Sequence, residues 1–243
     1  MKAKDVLELI KNRRSRRSSF DQNRTITKED LNQILEAARW APTPHNMQNF
    51  EIIIVDDKGI LEAIGYIKFT ISDELIKENY QQLSFSEEEL LKKKVGVLGT
   101  RLPPAFRNPD EYLNNSSREK IVVPVGRLAQ SGSILLVIIY DPTKRAPASP
   151  GDFLGIIGLG CVMENMWLMA QSLGIGFHII SVLNASPVEK EVKALLNIPN
   201  HMKIAFGIRI GYLISAPRKY LRVRRELEDF AYYNQFGKNT IDY

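Results

Sequence analysis

A single cysteine, Cys161, in a chain of 243 residues excludes an intramolecular disulfide framework and fits a reducing compartment. Histidine is also scarce, with three residues. His45, His178 and His201 show no metal-ligand spacing, so no metal site is expected. The glycines offer no dinucleotide fingerprint, because Gly155, Gly158 and Gly160 do not form GxGxxG and lie in an apolar helical pattern that reads as helix packing. No Ser-His-Asp or Cys-His arrangement can be argued, and Cys161 in that same pattern reads as core. No early apolar h-region and no 18-residue apolar run stand out, which argues against a signal peptide and a membrane span. A cytoplasmic protein is therefore expected. Repeats and low-complexity segments are also missing.

What remains is an ordinary globular composition, 44% hydrophobic and 25% charged, at a length that suits one elaborated domain over residues 1–243. Residues 5–13 place Val6, Leu7, Leu9 and Ile10 largely on one side of a helix. A second helix is better marked: Thr27 is its N-cap, Glu29 and Asp30 fill its acidic first turn, and Leu31, Ile34, Leu35 and Ala38 recur at helical spacing. Pro42 and Pro44 stop it. Residues 50–55 (FEIIIV) and 133–140 (SILLVIIY) read as buried strands, 176–183 as a third, and 203–212 (KIAFGIRIGY) as a fourth. Between the second and third strands, residues 153–173 form a nearly all-apolar helix with Gly174 as its left-handed stop. Ser186, Pro187 and Glu189 announce another helix as N-cap, N1 and N3. Between residues 58 and 126 only short capped helices are legible, opened by Ser72 and by a Ser86–Glu89 capping box.

The net charge is +5, and its placement is more informative than its sum. Arg13, Arg14, Arg16 and Arg17 surround Ser15, and a second basic cluster holds Arg218, Lys219, Arg222, Arg224 and Arg225. Guanidinium forks beside a hydroxyl suit a phosphate, and two distant clusters can meet around one anion. A solvated basic surface is the alternative reading. After the second helix, Thr43, Pro44, Asn46 and Gln48 make a polar turn whose amides can donate and accept at a heteroaromatic edge. A capped loop is the alternative there.

RRSRR, followed some 25 residues later by AARWAPTPHNMQNF, resembles the opening of the FMN-dependent nitroreductase family, "RRSxR … AxxAPSxxNxQPW". The resemblance covers most of the chain and fades between about residues 60 and 125. It implies that Arg13, Ser15 and Arg17 hold an FMN phosphate with Arg14 flanking. It also implies that Thr43, Pro44, Asn46 and Gln48 lie against the isoalloxazine ring and ribityl chain. Residues 174–182 resemble the family's "LGLGxxWIGG", which puts the backbone of Ile180, Ser181 and Val182 at the flavin N5; Ser181 and Val182 stand where Gly or Glu and then Gly are usual. Arg222 and Arg224 align with the basic pair that completes the clamp, and Arg127 with a residue at the pyrimidine end.

The resemblance thus implies an α+β nitroreductase-like sandwich, with a mainly antiparallel sheet of four to five strands flanked by helices, and a homodimer with FMN at its interface. Residues 66–115 would be a lid-like insertion and 221–243 a C-terminal arm wrapping the partner. The implied reaction takes hydride from NAD(P)H through FMN to a small aromatic or conjugated oxidant: a nitro compound, quinone or enone. The flavin carries the chemistry, so no catalytic side chain is named. Reductive dehalogenation or dehydrogenation on the same fold is an alternative. A non-enzymatic anion-binding module is another, while the family reading itself expects neither nucleic acid nor membrane as partner.

Overall fold

The computed structural model describes residues 2–101, 108–115, 119–129, 134–215 and 220–238. Expectations that fall on Ser133, Arg218 or Lys219, or on residues 102–107 of the 66–115 insertion, lie outside these residues. The chain divides into two units, Met1–Phe69 with Pro124–Ala216, and Thr70–Val123 with Pro217–Tyr243.

The first unit is built on a four-stranded antiparallel sheet in the order β1-β6-β8-β7. Its middle strands are β6 (Ile134–Tyr140), buried at every position, and β8 (Lys203–Tyr212). A strand covered on both faces must be apolar throughout, which explains the run ILLVIIY. Leu136, Ile138 and Tyr140 join the core formed with α2 (Lys28–Arg39) and α7 (Phe153–Ser172). Leu135, Val137 and Ile139 face the other core, with α3 (Lys58–Tyr66) and α8 (Ser186–Leu195). Each such side chain contributes about 1.5–3 kcal/mol when fully buried.

The remaining elements of this unit are α1 (Ala3–Asn12), β1 (Phe50–Val55) and β7 (Ile175–Ile180). Strand β1 was expected to be buried, yet only Val55 is, and Ile54 is 42% exposed. Among the described residues it pairs with β6 alone, at the edge of the sheet. Strand β7 ends at Ile180, not Leu183, because Ser181–Asn184 turns into a 3₁₀ helix. The start of α8 also differs from expectation. Ala185 is the N-cap, Ser186 is already helical, and the Glu189 carboxylate accepts from the backbone N–H of Ile204 at 2.9 Å, tying the helix to β8.

Helix α2 starts as expected, with Thr27 Oγ1 accepting from the Asp30 N–H at 3.0 Å. Helix α7 stops where Gly174 takes φ +69°, the left-handed geometry that glycine adopts without penalty. One expectation about α7 is corrected. Its best 18-residue window has a mean hydropathy of 1.6, long and apolar enough to cross a membrane. Part of that apolarity serves the core, where Val162, Met166 and Ala170 are fully buried against the sheet and α2, while Phe153, Ile156 and Ile157 remain exposed.

The second unit holds α4 (Asp73–Ile76), which continues as a π-helical turn, α5 (Glu87–Lys93) and α6 (Pro109–Asn114). Strands β3 (Ser84–Phe85) and β4 (Val97–Leu98) pair in parallel; the short strands β2 (Lys68–Thr70) and β5 (Val122–Pro124) sit where the chain passes between units. Ser72 and the Ser86–Glu89 box cap their helices as the sequence suggests. Ile76 and Leu90 are fully buried. Its C-terminal part is tied by Lys94 to Glu226 at 2.8 Å.

Candidate functional site

Residues 13–21 run from the end of α1 along the free edge of β7. Ser15 makes a parallel bridge to Phe177, and the Arg16 N–H donates to the Phe177 carbonyl at 2.8 Å. Further on, Phe20 bridges to Leu213, and the Asp21 N–H donates to the Tyr212 carbonyl at 2.9 Å. The arginine run is therefore fixed backbone at a sheet edge, three residues from Ile180.

Its side chains divide by task. Arg13 stacks on Trp167 of α7, 4.2 Å from the ring centroid, and its Nε lies 3.0 Å from Glu164 Oε1. Trp167 stacks in turn on Phe177 at 5.0 Å, and its Nε1–H donates to the Arg14 carbonyl at 3.4 Å. Arg13 is thus engaged on the helix side. Arg17 is exposed, Ser15 half-buried.

Two residues here were missed as site components by sequence reasoning. Arg209, on β8, is only 8% exposed, and its Nη2 donates to the Ser18 carbonyl at 2.7 Å and the Arg17 carbonyl at 3.3 Å. His178 is its cross-strand partner on β7, with a buried Nδ1 that has no hydrogen-bond partner among the described residues. Burial, and then the charges of Arg209 and Arg17, push the His178 imidazole down from 6.5 to about 4, so it is neutral at pH 7. Burial alone lowers the Arg209 guanidinium. A signal for Arg209 was present: one charge inside an otherwise apolar strand, flanked by Gly207 and Gly211.

The second expected segment is a tight turn braced on α7. His45, Asn46 and Gln48 take φ of +50°, +52° and +45°. Left-handed backbone at non-glycine residues costs on the order of 1 kcal/mol or more each and clusters at functional sites. Thr43 holds the turn, its carbonyl accepting from the Asn46 N–H at 2.9 Å and its Oγ1 from the Gln48 N–H at 3.1 Å. Gln48 Nε2 donates to Asn46 Oδ1 at 3.0 Å, so the two amides act as a pair. Pro44 Cδ approaches α7 at Gly158, where a Cβ would lie 3.4 Å away. A cavity of about 320 Å³ opens beside Gln48, lined also by Leu35, Arg39, Phe50 and Ile52.

The other expected residues are distributed as follows. Ile180 is buried at the end of β7, and Ser181 and Val182 open the 3₁₀ turn, whose backbone leaves the ladder there. Arg127 is exposed in the first unit, between Gly126 and buried Leu128. Arg222 and Arg224 belong to the second unit, where Arg224 Nη1 donates to the Val223 carbonyl at 2.7 Å. Among the described residues no three His, Cys, Asp or Glu side chains are grouped to hold a metal.

This arrangement can be compared with known proteins. The profile of the nitroreductase family matches residues 10–212. The chain belongs to the nitroreductase family. Its α+β architecture, an antiparallel sheet between helical layers, is the family fold. The chain is 24% identical over 238 residues to a Cr(VI) reductase of Pseudomonas sp. (strain G-1), covering 98% of this chain and 77% of that protein. Among solved structures, a nitroreductase with bound FMN from Bacteroides fragilis superposes with a TM-score of 0.54 at 22% identity, covering 90% of this chain and 95% of that one. The NADPH:FMN oxidoreductase of Vibrio harveyi complexed with NAD+ gives 0.59 at 19%, covering 98% and 80%. At such identities the superpositions speak for the fold.

Proposed function

We propose that this nitroreductase-family protein is an FMN-dependent oxidoreductase that uses NAD(P)H to reduce a small aromatic or conjugated oxidant such as a nitro compound, quinone or enone. The observation that carries this reading is the Ser15–Phe177 bridge, which holds the backbone of the arginine run against β7 at Phe177, three residues before the turn at Ile180. The donors fit a phosphate monoester: Arg17 is exposed, Ser15 is half-buried, and Arg209 adds a fixed positive charge behind them. FMN bound in a relative and NAD+ bound in another support the cofactor and the reductant.

When bound, FMN supplies two-electron hydride chemistry. The chain's residues bind and orient it. Ser15 and Arg17 would donate to the phosphate, with Arg14 flanking and Arg13 held over Trp167; for Arg222 and Arg224 the family motif is the ground for the same role. The strained turn of Thr43, Pro44, Asn46 and Gln48 supplies paired amides for the ring edge, and Arg127 a cation for its pyrimidine end. Backbone N–H groups at Ile180, Ser181 and Val182 would be the donors facing the ring. None of these roles needs an acid-base side chain.

The purified protein should be yellow, and heating followed by chromatography should release FMN; a colourless protein, or FAD in the supernatant, overturns the reading. Each phosphate-directed arginine contributes about 1.5–3 kcal/mol as a charge-assisted bond. Arg17→Ala or Arg224→Ala should therefore weaken FMN binding roughly ten- to a hundredfold. Wild-type affinity in both variants would assign the basic clusters another task.

A homodimer belongs to the same proposal. One end of α7 leaves Phe153, Ile156 and Ile157 at 58%, 47% and 49% exposed, and the C-terminal arm leaves Tyr233 and Phe236 at 52% and 92%. Adjacent large apolar side chains of this kind mark an interface more often than solvent-facing surface. Sedimentation should give a dimer, and truncation after Arg225 a poorly soluble or flavin-free chain. A stable, flavin-loaded monomer excludes the proposal.

A further inference from the structure

A buried guanidinium with no carboxylate beside it needs a reason. Arg209 makes no ion pair among the described residues, and its Nε has no hydrogen-bond acceptor. Removing such a charge from water is costly, and the depressed guanidinium reflects that cost. The side chain nevertheless points at one short piece of backbone. Its Nη2 serves the carbonyls of Arg17 and Ser18, and its guanidinium lies 4.8 Å from the centroid of Phe20.

That piece of backbone is the weakly held part of the arginine run. Ladder contacts fix residues 15 and 16 at Phe177 and residues 20 and 21 at Leu213 and Tyr212. Between those anchors, Arg209 is the buried side chain that donates to the Arg17 and Ser18 carbonyls. A residue whose carbonyl is held has its Cα direction held with it. Fixing the Arg17 carbonyl therefore limits where the Arg17 side chain can reach.

We propose that Arg209 is a positioning residue for the phosphate-binding loop: it grips the Arg17 and Ser18 carbonyls and so presents Arg17 to the FMN phosphate beside Ser15, which the bridge to Phe177 already holds. It does not touch the phosphate. The proposal rests on the FMN reading above and assigns the phosphate half of that affinity to a residue outside the sequence motif. His178 fits beside Arg209 because it stays neutral and adds no second buried charge.

Equilibrium dialysis of the full chain against FMN and against riboflavin tests it, since riboflavin lacks the phosphate. Arg209→Met should weaken FMN binding about tenfold, the size expected when the misplaced Arg17 loses its charge-assisted bond to the phosphate, and leave riboflavin binding within about twofold. Arg209→Gln keeps one donor without the charge and should lie between Met and wild type in FMN preference. Arg209→Lys keeps the charge without the fork, so it should also fall short of wild type. If Met is too unstable to purify, Gln and Lys decide the matter. An unchanged ratio of FMN to riboflavin affinity in the variants, or an equal loss of both flavins, overturns the proposal and makes Arg209 merely structural. Failure of the wild-type chain to bind FMN overturns the functional reading instead.

Discussion

Phe20→Ala should cost about 3–5 kcal/mol of stability in urea unfolding and, in whatever protein remains folded, most of its FMN. Phe20 is fully buried, although residues 17–19 before it are exposed. Its ring covers the paired glycines Gly176 of β7 and Gly211 of β8. A Cβ at Gly211 would come within 2.5 Å of the ring, so these two glycines are the floor on which an aromatic lies flat. The ring also carries the Arg209 guanidinium. Alanine would empty this floor and release the segment that Ser15, Arg17 and Ser18 belong to. Phe20→Leu should retain part of the packing and so fall between. An alanine variant that unfolds at the wild-type urea concentration and keeps its flavin would show that the loop is held by its backbone bridges alone.

The dependence of an exposed anion site on a buried ring follows from how the loop is made. Arginines have long, entropically expensive side chains, and an exposed run of them is normally mobile. Here the run is laid along a sheet edge by Arg16 and Asp21, weighted down by Phe20, and gripped by Arg209. Arg13 is set over Trp167 and Glu164. The ordering cost is thus met by the core, so less of it falls on ligand binding.

Much of this was legible in the sequence. The strands at residues 50–55 and 203–212 were read with their observed bounds because each is apolar and ends at turn residues. The Thr27, Ser72 and Ser86 caps follow from local hydroxyl chemistry, which needs no tertiary context. The family motif singled out Ser15 and the 43–48 turn, which the fold braces at Phe177 and at α7. What failed was non-local. Strand β1 reads as buried, yet edge position is set by topology and leaves no mark in FEIIIV. Glu189 reads as a capping residue, but the N–H of Ile204 reaches its carboxylate. The end of β7 at Ile180 is set by the 3₁₀ turn that follows, since Ser181 and Val182 are acceptable strand residues. Arg209 is visible in the sequence as a charge inside an apolar strand, but what it grips depends on neighbours that only the fold brings to it.

His178 should make the protein lose stability in mild acid, and His178→Leu should remove that loss. In the folded chain the imidazole is pushed down to about 4 by burial first and then by Arg209 and Arg17; its ordinary value is 6.5. Between these two values the unfolded chain takes up a proton that the folded chain refuses. Stability from this group is therefore fully present above pH 6.5 and is lost as pH falls towards about 4. Integrated over the whole interval, the loss is at most roughly 3 kcal/mol, with about 2 kcal/mol already gone at pH 5. Solvent on the open side of the half-buried ring reduces both figures. The leucine variant gives up little at neutral pH, because Nδ1 has no partner to lose. Urea unfolding of both proteins at pH 7, 6 and 5 isolates the effect, since every other titrating group is common to the pair. The gap between them should shift steadily in favour of His178→Leu as pH falls. Parallel pH dependence in the two proteins would mean that His178 accepts its proton in the folded state at an ordinary pH, with the charges of Arg17 and Arg209 screened from it.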